Sequence, residues 1–341
     1  MVKQEDKSRW PFFLTLAVGC ILGLWFIQLA TFLVIPAQAG KIQKIVDVPY
    51  GANLRTVAQV LAGEGIIRDS TYFIIAGKLI GVEKVIKPGE YAMHTHMRPL
   101  QILDLLKRGD IYKHPVIIPE GYTIRQIAKL LEDKQLADKK TFIGLTRDRG
   151  FIHSLKIQTD NLEGYLFPST YSIAKSTASE EIIRMMVRAF QDVYTQELKD
   201  RAQQLHLTQH QVVTLASIIE KETSMDAERP IIAAVFHNRL KRHIPLQSDP
   251  TVIYALPNFN GNLKRVHLKM NSPYNTYRSP GLPPGPIANP GRASIYATLY
   301  PASVDYLFFV SRNDGTHYFS RSLQEHNLAV SMYQKMRRVK R

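Results

Sequence analysis

Hydrophobic spacing divides the chain into three regimes. From Phe12 to Ile35 run 24 residues without a charge, with Thr15, Gln28 and Thr31 as the only hydroxyl or amide side chains. As a helix they would extend roughly 36 Å, enough to cross a hydrocarbon layer of about 30 Å with some tilt. Beyond it lies a repeated unit. "PYGANLRTVAQVL" starts at Pro49 and "PEGYTIRQIAKLL" at Pro119, 70 residues later, with Pro, Gly, Arg, Ala and the last Leu at matched positions. In each, an N-capping Asn53 or Thr123 precedes apolar residues at helical spacing: Leu54, Val57, Ala58, Leu61 and Ile124, Ile127, Ala128, Leu131. The β-branched runs "IQKIVDV" and "HPVII" come just before, so each unit reads as strand, turn, helix.

The first copy continues with a helix over Ser70 to Ile80 and a turn and short strand at "KPGEYAM". Strand, helix, helix, strand in about 50 residues resembles the LysM module, which implies contact with the sugar backbone of a wall polymer; a small packed spacer is the alternative. The helix "PLQILDLLKRGD" should stop at Gly109. From about Asn161 the pattern changes again, with one long helix predicted over Glu181 to Lys199, another over Thr208 to Thr223, and a third at "PIIAAVFHNRLKR". Ile244 to Arg292 is dense in Pro, Gly, Asn and Tyr, the composition of a working loop. "YLFFVSRNDGTHYFS" predicts a β-hairpin, and a C-terminal helix follows. The fold class expected is α+β: a tail over 1–10, a transmembrane helix over 11–36, a LysM-like domain over 41–115, a second repeat unit and connector over 116–160, and a mixed α/β catalytic domain over 161–341.

Composition refines this layout. The apolar run is too long for a cleaved signal peptide despite "AQAG" at Ala37 to Gly40, and the apolar residues after "LAVGC" argue against lipidation at Cys20. Lys3, Lys7 and Arg9 before the helix are matched by Lys41, Lys44 and Arg55 after it, so charge counting gives only a preference for the N-terminus inside. Cys20 is the single cysteine, and no intramolecular disulfide can form. The net charge of +15 suits an anionic partner. The densest cationic stretch is "KMRRVKR" at the C-terminus, and no interleaving of basic and aromatic residues suggests nucleic acid.

Common catalytic constellations are missing. No HExxH, CxxC, GxGxxG, P-loop or GxSxG occurs, His94 and His96 flank a strand, and the Ser-x-x-Lys match at Ser172 to Lys175 lacks a Lys-Thr-Gly companion. Neither a metal nor a cofactor is implied. Carboxylates remain. On the wheel of the helix "TLASIIEKETS", Glu220 lies about 90° to one side of the apolar centre and Glu222 about 60° to the other. Both border the core, where partial desolvation would leave a proton available near neutral pH. The wheel does not choose between them.

"LASIIEKET", "RLKRHIPLQSDPTVIYAL", "SPYNTYRSPGLPPGPIANPG" and the hairpin, with "LEGYLFPSTY" upstream, closely resemble the endolytic murein transglycosylase family over the whole chain after the apolar helix. That resemblance implies a single-pass inner-membrane protein with its N-terminus cytoplasmic and its body outside, acting on peptidoglycan glycan strands and meeting peptidoglycan synthases. It implies Glu220 as the catalytic acid and cleavage of the β-1,4 bond between N-acetylmuramic acid and N-acetylglucosamine without water, leaving a 1,6-anhydro end. One carboxyl can suffice because the nucleophile is the sugar's own C6 hydroxyl, whereas hydrolytic glycosidases ordinarily use two. Aromatic and neutral polar residues expected to hold sugar are Gln247, Ser248, Tyr274, Asn275, Thr276 and Tyr277, with Glu163 and Asp249 as further acidic candidates. The alternatives are a hydrolytic muramidase using one of those two carboxylates, and a wall-binding scaffold without catalysis.

Overall fold

The computed structural model describes residues 10–257 and 259–335. The cations Lys3, Lys7 and Arg9 of the expected tail, and those from Arg337 onward, lie outside the described residues. The chain forms two compact units, one comprising residues up to His114 with Ala174–Ser176, the other Pro115–Ile173 with Thr177 onward.

In the first unit, α1 (Trp10–Val34) is apolar all round and exposes nearly all of its side chains. Phe12–Val34 is long and apolar enough to cross a membrane. Only its last turns join a core: Leu29 is buried, and Phe32 and Leu33 pack beside it. β1 (Gln43–Val48) pairs antiparallel with β2 (Gly89–His94), Val46 opposite Tyr91, and α2 (Leu54–Gly63) and α3 (Ser70–Ile80) lie between them in sequence. Asn53 caps α2 by accepting from the Thr56 N–H at 2.9 Å. α4 (Pro99–Arg108) starts on a proline and stops at Gly109, whose φ of 67° is the left-handed geometry that glycine tolerates.

The second unit opens at Pro115, within β3 (His114–Ile117), and continues with α5 (Ile124–Asp133), α6 (Lys139–Leu145), α7 (Arg149–Ser154) and β4 (Thr170–Ile173), with β3 pairing to β4. The second repeat, expected as a connector over 116–160, shares one hydrophobic core with the helices after residue 177: Ile124, Ile127 and Leu131 belong to the cluster that contains Met186, Phe190 and Val213. The long helix predicted over Glu181 to Lys199 is two helices, α8 (Ser179–Val193) and α9 (Gln196–Gln204). Tyr194 breaks it: its ring stacks on Phe190 at 5.6 Å, and the extended Thr195 restarts the chain in a new direction.

α10 (Gln209–Glu222) is the centre of this unit. Thr208 and Gln211 form a reciprocal capping box at its start. From Val212 to Ile219 every residue is buried, so α10 has no solvent face over two turns, unlike the one-sided fan on the wheel. Glu220 and Glu222 mark where it leaves the core. Around it stand α11 (Arg229–Lys241), α12 (Asp249–Ala255) and α13 (Arg292–Leu299), followed by the hairpin β5 (Phe308–Ser311) and β6 (His317–Ser320) and then α14 (Leu323–Val330). Gly164 permits a close approach to α10: at φ +89° a Cβ there would lie 2.6 Å from both Val213 and Pro286.

Candidate active site

Glu220, Glu222 and Glu163 stand near the end of α10 or on the cleft beside it, and their surroundings differ. Glu220 is tied into the scaffold. Its Oε1 lies 3.3 Å from the Arg229 guanidinium, while its Oε2 accepts from the Gly291 N–H at 3.0 Å and the Ser294 hydroxyl at 2.8 Å. Gly291 caps the N-terminus of α13, where the helix dipole also favours negative charge. Both partners of the ion pair are 6% exposed at the side chain. The negative charge of Glu220 is felt at neighbouring Glu120, whose carboxyl is raised first by burial and then by Glu220, with Arg229 opposing.

Glu222 is half-buried and has no cation at bonding distance among the described residues. The Ser248 hydroxyl donates to its Oε1 in a short hydrogen bond. Burial pushes the Glu222 carboxyl up to about 7, and Asp249 adds to the rise, while Ser248, His317 and Arg239 work against it. Arg239 is buried and committed to backbone, donating to the carbonyls of Leu307 at 2.6 Å and Leu246 at 2.8 Å.

Glu163 is 4% exposed. It accepts from the Ile124 N–H at 2.9 Å, the Tyr254 hydroxyl at 3.2 Å and the Asn289 amide at 3.2 Å. Burial pushes its carboxyl up to about 7 as well, against the lowering effect of the Ile124 and Tyr254 bonds and of Arg125 and Arg147. It borders a cleft of about 470 Å³, also lined by Thr123, Arg125, Arg147, Lys221 and Tyr254.

The remaining sequence candidates divide between these carboxyls. Ser248 and Asp249 stand at Glu222, and Tyr277 donates to Asp249 at 2.6 Å. Gln247 is exposed beside them, with φ +50°, a strained value that its neighbours impose: its N–H is held by the Thr276 carbonyl at 3.1 Å. Tyr274 belongs with Glu163, its ring 5.1 Å from that of Tyr254. Asn275 and Thr276, expected to face sugar, are fully buried and serve the loop instead. Asn275 donates to the carbonyls of Leu268 and Met270, and the Thr276 hydroxyl accepts from the Ser248 N–H at 3.0 Å. In a loop with few regular backbone bonds, these side chains supply the missing partners.

Sequence reasoning passed over Arg229, Ser294, Tyr254 and Asn289. Asn289 is fully buried and ties three segments: its carbonyl accepts from the Leu166 N–H at 2.8 Å, and its amide reaches the Tyr122 carbonyl at 2.8 Å as well as Glu163. Its position between prolines and glycines in "PIANPG" was the available signal, since a lone amide in a rigid loop is suited to bridging backbone. Among the described residues no group of His, Cys, Asp and Glu could hold a metal ion.

Residues 46–332 match the YceG-like family. The chain is 34% identical over 304 residues to the endolytic murein transglycosylase of Bacillus subtilis (strain 168), covering 84% of each chain. It is 30% identical to the endolytic murein transglycosylase of Streptococcus pneumoniae (strain ATCC BAA-255 / R6), spanning 65% of that protein's length. A 2.6 Å crystal structure of a yceG-like protein from Listeria monocytogenes superposes with a TM-score of 0.59 at 34% identity, covering 85% of this chain and all of that one. Matches of this extent, over both units and every segment that forms the carboxyl cluster, identify the chain as a member of the YceG-like family, that of the endolytic murein transglycosylases.

Proposed function

We propose that the protein cuts within peptidoglycan glycan strands as a lytic transglycosylase, with Glu222 as its general acid. The observation that carries this reading is the contrast between the two glutamates of α10. Glu220 has an arginine and two further donors, an arrangement that holds a carboxylate in place. Glu222 has one hydroxyl, a half-buried seat and a carboxyl near 7. The family resemblance implies Glu220 for the role; the surroundings favour its neighbour two residues on.

In this mechanism the protonated Glu222 donates to the oxygen of the β-1,4 bond between N-acetylmuramic acid and N-acetylglucosamine. As the C1–O bond breaks, positive charge develops at C1, and the muramoyl C6 oxygen attacks it. The Glu222 carboxylate then takes the C6 hydroxyl proton, leaving a 1,6-anhydro end and restoring the acid. Intramolecular attack makes a water-activating base unnecessary. Ser248 orients the acid, and Asp249 keeps its proton affinity high. Gln247, Tyr277 and Tyr274 are the sugar-facing candidates.

Glu222→Gln should lower release of anhydro-ended fragments at least about a hundredfold, the usual share of a general acid, while leaving the fold intact. Near-normal turnover in that variant would rule the assignment out. Asp249, close enough to raise the Glu222 carboxyl, supports a second reading in which it activates water. Product masses decide, because hydrolysis adds one water to the new end.

α1 anchors the enzyme in this reading, crossing the inner membrane once with its N-terminus cytoplasmic and both units outside. The strand–helix–helix–strand portion of the first unit serves as a LysM-like contact with glycan, and cleavage near the membrane limits strand length beside the peptidoglycan synthases.

A further inference from the structure

The cleft beside Glu163 carries more positive charge than the chemistry above employs. Arg125 in the first turn of α5, Arg147 just after α6 and Lys221 in the last turn of α10 border the same cavity. All three are exposed, and among the described residues none has a carboxylate oxygen within 4.0 Å. The Lys221 ammonium reaches only the Gly121 carbonyl, at 3.3 Å. Glu163, the carboxyl on this cleft, is already occupied by three protein donors.

The walls between these cations are apolar: Ile143, Pro250, Ile253 and Ile287. Surface cations usually point outward into water. Three that converge from separate segments of the chain on one concave, partly apolar surface form a receptor for an anion borne on an aliphatic tether. The sugar ring of the proposed substrate is neutral, and its acidic groups sit on one substituent: the lactyl ether at C3 of the muramoyl residue, which ends in a carboxylate or continues into a peptide with carboxylates of its own.

We propose that this cleft binds the carboxylate-bearing lactyl substituent of a muramoyl residue at or beside the scissile bond, with Arg125 and Arg147 as its principal ligands. The proposal rests on the glycan-cleaving reading and deepens it. It makes the protein sensitive to what the strand carries as well as to the strand itself, because guanidinium groups pair with carboxylates bidentately and poorly with neutral sugar hydroxyls.

The test uses the full chain in lipid nanodiscs and three substrates: strands bearing stem peptides, the same strands stripped by an amidase to the lactyl carboxylate, and stripped strands whose lactyl carboxyls are methyl-esterified. The wild type should cleave esterified strands about tenfold less efficiently in kcat/KM than those carrying carboxylate, the loss expected of one charge-assisted hydrogen bond, with the difference in KM. For R125Q/R147Q the three substrates should converge to one efficiency, and raising salt should produce the same convergence in the wild type. A deficit on stripping identifies the peptide as the source of the anion, and a deficit only on esterification identifies the lactyl group; either supports the site. Equal cleavage of all three substrates by the wild type, or an undiminished preference in R125Q/R147Q, overturns it. Failure of the wild type to cut any of the three would instead refute the glycan-cleaving reading. Both arginines are exposed, and unchanged melting temperatures of the variants confirm that the fold is kept.

Discussion

Arg229 holds Glu220 across 3.3 Å with both side chains almost wholly out of water, joining the end of α10 to the start of α11. Such a pair costs more to break than it is worth to form, since removing one partner strands the other charge in a poorly hydrated place. Glu220→Gln should therefore destabilise the second unit by about 3 kcal/mol, the lower end of the usual range because Asp226 and Glu120 remain near Arg229. Thermal unfolding measures this. Turnover per folded molecule should survive at temperatures well below the transition, in contrast to Glu222→Gln.

The pH dependence of cleavage should respond to Asp249 and Ser248 in opposite directions. Activity requires a protonated Glu222, so it should decline as pH rises through about 7. Asp249 raises that carboxyl and Ser248 lowers it. Asp249→Asn should move the alkaline limb to lower pH, and Ser248→Ala should move it to higher pH while slowing the plateau rate through lost orientation. Profiles of kcat/KM against pH for the two variants check both signs; shifts in the same direction would exclude Glu222 as the titrating group.

Stability should carry the mark of the two carboxyls that burial raises. Glu163 and Glu222 titrate near 4.5 in the unfolded chain and near 7 when folded. Between those values the folded protein holds more protons, so the contribution of these groups is fully present below 4.5 and is lost as pH rises through about 7. Glu163→Gln should flatten the decline in melting temperature over that window. An unchanged slope would mean that Glu163 ionises normally.

Gly164→Ala should be severe for a single methyl. The residue sits at φ +89°, and its Cβ would press on Pro286 and Val213 at 2.6 Å. Left-handed strain and overpacking together should cost about 3 kcal/mol. Because Val213 belongs to α10 and Pro286 to the loop before Asn289, loss of activity should accompany the drop in melting temperature.

Asn289→Ala would leave the buried Leu166 N–H without a partner and take one of its three donors from Glu163, while the Tyr122 carbonyl keeps the backbone N–H of residue 289. The expected loss is about 1–3 kcal/mol, measurable by denaturant titration. Asn289→Asp should be no better, because a carboxylate cannot donate to Glu163 and would set a second acidic group against it in a buried place.

Local spacing was enough to fix much of this protein from its residues alone. The apolar run of α1, the matched starts of α2 and α5, the stop of α4 at Gly109 and the capped start of α10 at Thr208 follow from side-chain periodicity and from caps within four residues of one another. The break between α8 and α9 was not legible, because the ring of Tyr194 finds Phe190 only when both are packed. Nor was the place of Asn275 and Thr276, polar residues that a loop buries to satisfy its own backbone.

The sequence also delivered the two glutamates of α10 to the edge of a buried helix, and there it stopped. Two residues apart on one helix, they are near equivalents on a wheel. Tertiary structure separated them by bringing Arg229, Gly291 and Ser294 to Glu220, and Ser248 and Asp249 to Glu222. Electrostatic environment is set by groups within a few ångströms in space, up to 74 residues away along the chain, and no local pattern encodes them.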